Sequence, residues 1–129
     1  MSAATSRLRR SQDFSRVMRT GRRAGTTSLV VHLATGSGED VPRPPRAGFV
    51  VSGKIGNSVV RHRITRRLRP LVRSRLTALP TGTDVVVRAL APASTASSTE
   101  LAADLDIGLR VAAKRAGLVF RWENEQAER

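Results

Sequence analysis

The stretch from Val50 to Arg69 limits what this chain can fold into more than any other. A short apolar run leads into Gly56-Asn57, and a helical pattern crowded with arginine follows at once. Gly56 suits a turn with positive φ, and Asn57 or Ser58 can cap the helix that starts there. At about 100° per residue, Val60, Ile64, Leu68 and Leu71 form one stripe that must dock on another layer. His62, Arg66, Arg69 and Arg73 gather on the far side, and Arg61, Arg63 and Arg67 flank the stripe. No Asp or Glu occurs between Val41 and Thr83. Solvated helix faces normally mix both signs, so a ridge of guanidiniums without acids points to phosphate. The helix start, with its unpaired N–H groups and positive dipole end, suits phosphate too.

The charge of the whole chain is lopsided in the same way. Residues 1–80 hold 17 basic against 3 acidic side chains, and residues 81–129 hold 6 against 7. A membrane-surface protein would pair such charge with a large exposed apolar face, whereas the apolar stripes here read as core. Nucleic acid is the partner this balance favours. The 129 residues suit one domain, 1–129, with a core over about 7–117 and a tail over 118–129. With no cysteine, disulfides and thiolate metal sites are excluded. The arginine-rich first 25 residues lack the apolar core of a secretory signal, and no segment has the length of a membrane span. The expected location is the cytoplasm.

Taken in order, Arg7 to Arg10 read as an extended basic arm. Ser11 can cap a short helix that ends at Gly21, with Phe14, Val17 and Met18 on one face. Arg22 to Thr26 form a marginal edge strand, and Thr27 to Ala34 a better one, with Leu29, Val31 and Leu33 on one face and His32 on the other. Gly36 to Arg46, rich in Gly and Pro, reads as a long, mobile hairpin loop, and Ala47 to Ser52 as the next strand. The arginine helix spans about Ser58 to Leu79, and Pro70 should kink or split it. Val85 to Val87 form a buried strand carrying Arg88 at its end. Ser97 and Glu100 make a capping box for a last helix ending near Gly117. The order is α-β-β-β-α-β-α, an α/β pattern with four strands.

Few sets of residues could carry chemistry. The acids are scattered rather than clustered as a metal-dependent nuclease needs, and no Walker-type loop or Ser or Cys nucleophile motif occurs. His32, His62 and Lys54 could in principle cleave RNA without metal, but nothing in their spacing brings them together. Aromatic residues are few (Phe14, Phe49, Phe120 and Trp122), so bases can stack at only one or two points. Two readings are open at this point: a structural RNA-binding protein of ribosomal or assembly type, and a metal-free His-dependent ribonuclease.

The run from Val51 to Arg69 resembles the signature of the bacterial ribonuclease P protein subunit. Arg7 to Phe14 with Val17 and Gly21 resembles that family's opening helix, and Asp84 to Arg88 its last strand. The resemblance implies an α+β, two-layer fold with a four-stranded sheet and a left-handed crossover for the arginine helix. It further implies a non-catalytic subunit of an endoribonuclease, bound to a catalytic RNA that removes the 5′ leader of precursor tRNA. In that picture the Mg²⁺ ions belong to the RNA and substrate, none to the protein alone, and neither membrane nor DNA is a partner. By position, Lys54, Arg61, His62, Arg63, Arg66, Arg67, Arg69 and Arg73 are implied to face the catalytic RNA. Phe14, Met18, His32 and Arg88 are implied to line the leader cleft. Gly53, His62 and Thr65 depart from the family pattern, which has Lys, Asn and Lys there.

Overall fold

The computed structural model describes residues 7–35 and 43–118. Helix α1 (Ser11–Thr20) is followed by strands β1 (Arg22–Gly25), β2 (Leu29–Ala34) and β3 (Arg46–Val50). Then come α2 (Ser58–Leu76), β4 (Asp84–Ala89), a 3₁₀ turn (Ala91–Ser94) and α3 (Ser98–Arg115). The order of elements is the one that periodicity predicts. The sheet runs β1-β2-β4-β3, with β1 on β2 and β2 on β4 antiparallel and β3 on β4 parallel. The segment between β2 and β3 is therefore not a hairpin, because β4 lies between those strands. A parallel pair needs a long crossover, and α2 supplies it by carrying the chain from β3 back beside it.

The two faces of the sheet bury different sets. One face carries Leu29, Val31, Leu33, Val85 and Val87 against Ile64, Leu68, Val72 and Leu76 of α2 and Leu101, Leu105 and Leu109 of α3. The docking stripe of α2 thus continues by fours from Ile64 to Leu76, with Val60 and Leu71 half-buried at its margin. On the opposite face, Val17 of α1 packs with Leu8, Ala34 and Val86, and Phe14 and Val50 lean on them. All six residues of β2 are buried because helices cover it on both sides. Burial of this kind contributes about 1.5–3 kcal/mol for each large aliphatic side chain.

Local signals decide the helix ends. Asn57 caps α2, its Oδ1 accepting from the Val60 N–H at 3.0 Å. Gly56 does not adopt positive φ. Its role is space, since a Cβ there would lie 2.9 Å from the Val60 side chain. Pro70 sits within α2 without splitting it, and the helix stops at Leu76 rather than Leu79. Arg10, not Ser11, occupies the cap of α1, with no side-chain hydrogen bond. Gly21 ends α1 in an extended conformation. The Ser97–Glu100 capping box forms with both its hydrogen bonds. At the far end of α3, Gly117 has φ +74°. The Leu118 N–H reaches Ala113 O at 2.8 Å and the Gly117 N–H reaches Lys114 O at 3.1 Å, a Schellman motif. Leu118, the first residue after that turn, packs on the core. The rest of the expected tail, and residues 36–42 of the expected loop, lie outside the described residues.

Candidate nucleic-acid interface

The arm, α1, β3 and α2 together enclose a groove of about 600 Å³. The arm runs extended as expected, Arg7 bridging to Ala47 and the Leu8 N–H donating to Ala47 O at 2.9 Å. Arg7, Arg61, His62, Arg66 and Arg69 line the groove together with Phe14 and Phe49. A small hollow beyond Arg69 extends it to Arg73. Among the described residues, Arg61, Arg66, Arg69 and Arg73 have no carboxylate partner, and Arg75 alone on α2 pairs with one, Asp106. Lys54 lies exposed in the turn before α2.

The groove brings together residues that the sequence reading kept apart. Phe14, implied to line the leader cleft, has its ring directly over Gly48, where any β-carbon would collide with it, in the groove that the α2 arginines also line. Met18, one turn on, is 37% exposed. His32 and Arg88 lie outside the groove, on the face of the sheet that α1 partly covers. His32 is only 3% exposed, and neither ring nitrogen has a hydrogen-bond partner. Burial first, then the neighbouring Arg88 and Arg23 charges, hold its pKa below the usual imidazole value. An inaccessible imidazole outside the groove that contains His62 does not make a catalytic pair with it.

Arg63 and Arg67 point elsewhere. Arg63 Nη2 donates to Ser94 O at 2.9 Å and Arg67 Nη1 to Ala96 O at 2.8 Å, both in the segment joining β4 to α3. Helical spacing could not show this, because the acceptors are backbone carbonyls about thirty residues away.

Asp84 is the site residue that the sequence reading missed. Its side chain is fully buried and accepts from Arg16 of α1, from Arg43 at 2.8 Å, and from Arg46 of β3. Burial alone would raise its pKa, but the hydrogen bonds from Arg46 and Arg43 outweigh that and hold the carboxyl below its usual value. The other described carboxylates are engaged too. Asp104 accepts from Ser28, Asp106 from Arg75 and Glu100 from the Ser97 N–H, and Asp13 stands 3.8 Å from Arg46. No group of three or more His, Asp or Glu that could hold a metal occurs among the described residues, and no described helix is long and apolar enough to cross a membrane.

A mixed four-stranded sheet with a guanidinium-lined groove against its edge strand defines an RNA-binding α+β protein. The comparisons narrow that class. The ribonuclease P family model matches residues 3–113. A ribonuclease P protein component from Streptomyces griseus is 56% identical over 81% of this chain and 89% of its own length. One from Beutenbergia cavernae is 50% identical over 92% of this chain and 98% of its own. The solved RNase P protein of Staphylococcus aureus superposes with a TM-score of 0.72 at 26% identity, covering 83% of this chain and 94% of that one. The chain belongs to the ribonuclease P protein family, as an RNA-binding subunit of the ribonuclease P holoenzyme that processes tRNA. These relatives do not favour the ribosomal or free-ribonuclease readings.

Proposed function

We propose that the chain is the non-catalytic subunit, and that the RNA subunit holds the Mg²⁺ ions and hydrolyses the 5′ leader from precursor tRNA in the cytoplasm. Lys54, Arg61, His62, Arg66, Arg69 and Arg73 hold the RNA subunit through its phosphates. Phe14 and Met18 meet the single-stranded leader, with Arg88 and His32 on the adjoining sheet face. The observation that supports this is the distribution of charge. Each described carboxylate is engaged in a structural contact, while the α2 ridge has cations to spare for an external polyanion. An aromatic ring among those cations adds a stacking surface for one unpaired base.

Reconstitution with the RNA subunit of the same organism tests the proposal. The expected result is faster precursor-tRNA cleavage at low Mg²⁺ when the protein is added, and no cleavage by the protein alone. Cleavage by the protein alone, or no gain from adding it, overturns the reading.

A further inference from the structure

The arginines of α2 divide by their angle around the helix. Arg67 and Arg69 are two residues apart, about 200° around the axis, and Arg63 lies within about 40° of Arg67. Arg61, Arg66 and Arg69 fall on the arc that lines the groove. Arg63 and Arg67 fall on the other flank, where each is half-buried and donates to one backbone carbonyl. Those carbonyls belong to Ser94, which ends the 3₁₀ turn, and Ala96, which precedes the α3 cap Ser97. Carbonyls at the end of a helical turn lack partners within it and carry partial negative charge, so a guanidinium is a fitting donor. Ala93 and Ala96 of the same segment are buried in the core, so the contact joins α2 to a fixed part of the fold.

We propose that Arg63 and Arg67 are positioning residues, a two-pronged clasp that fixes the roll of α2 about its axis and so aims Arg61, Arg66 and Arg69 into the groove. Two donors one helical turn apart, gripping carbonyls two residues apart, resist rotation in a way that the apolar stripe alone does not. Leucine and isoleucine side chains can slide on a sheet with little directional cost, whereas a hydrogen bond weakens steeply as its angle falls. The clasp rests on the reading of the groove as an RNA interface, but its geometry can be tested without RNA.

Arg63→Met and Arg67→Met each keep an apolar stem and remove the donors, with Arg66→Met as the comparison. In the full-length protein alone, amide exchange at Ala93 and Thr95, whose N–H groups close the 3₁₀ turn, should accelerate in the two clasp variants and not in Arg66→Met. In RNA-subunit binding across a salt series, the folded clasp variants should bind about two- to tenfold more weakly, the equivalent of one hydrogen bond, with the salt slope of the unsubstituted protein. Arg66→Met should instead lower that slope by about 0.7–0.9. A lowered slope in the clasp variants would make them direct phosphate contacts and overturn the proposal. So would unchanged affinity of the folded variants, which would leave them a role in stability alone. If no protein, substituted or not, shows salt-dependent binding, the interface reading fails while the exchange measurement still decides the clasp. The two variants carry the test independently should one fail to fold.

Discussion

Arg46 grips Asp84 with two parallel hydrogen bonds, Nε to Oδ1 and Nη2 to Oδ2, each 3.0 Å long. With Arg16 and Arg43 on the same carboxylate, one buried anion joins α1, the approach to β3, β3 itself and β4. Removing it leaves three cations crowded together. Asp84→Asn should therefore destabilise the protein by about 3 kcal/mol, the low end for a broken buried pair because the arginines keep some solvent contact. Urea denaturation at neutral pH measures the loss. The sign with pH follows from the depressed carboxyl. Its contribution is present above the unfolded value, near 3.9, and is lost as pH falls through the folded value. The acid limb of the stability curve should be shallower in Asp84→Asn.

The buried His32 gives a second pH window. Its folded pKa is lowered, so below about 6.5 the unfolded chain takes up a proton that the folded protein refuses. Stability is at its full value above about 6.5 and declines from there down to the folded value, where the decline stops. His32→Leu should remove this slope while leaving the more acid one from Asp84. A pH series of thermal melts that shows the same slope between pH 6.5 and 5 in both proteins would refute this account of His32.

How much of this was legible depends on the range of each interaction. The Asn57 cap, the Ser97–Glu100 box and the Gly117 end were readable because donor and acceptor lie within five residues of each other. The α2 ridge was readable because helical angle alone separates its faces. The insertion of β4 between β2 and β3 was not, since it depends on where a 19-residue helix returns the chain. Asp84 does start a strand, but its ion cluster was hidden because its partners stand 38, 41 and 68 residues away. Gly56 was read as a positive-φ turn when its constraint is the Val60 side chain, a contact invisible to turn chemistry.

Gly21 and Gly53 should respond oppositely to alanine. A β-carbon on Gly21 would lie 2.8 Å from the Leu33 carbonyl oxygen and closer still to that of Val17. Both obstacles are backbone, so α1 must lift from β2. Gly21→Ala should cost about 1–3 kcal/mol, as overpacked sites do. Nothing lies within 4 Å of a β-carbon on Gly53, and its φ is not positive, so Gly53→Ala should be neutral or slightly stabilising. Melting temperatures of the two variants, compared side by side, check the contrast.

Phe14 offers the sharpest separation of leader contact from RNA-subunit contact. Its ring lines the same groove as Arg61, His62, Arg66 and Arg69 and rests on Gly48 rather than within the main core. Truncation should therefore remove a stacking surface without disturbing the α2 ridge. Phe14→Ala should weaken the holoenzyme's affinity for precursor tRNA by about 1–3 kcal/mol, the range for one stacked base. Affinity for mature tRNA, which has no leader, should stay the same, and so should the salt slope of RNA-subunit binding. The preference for precursor over mature tRNA is the quantity to measure, because a general loss of folded protein lowers both affinities together and leaves their ratio intact. A ratio unchanged in Phe14→Ala would remove the ring from the leader site and leave it a packing residue between the arm and β3.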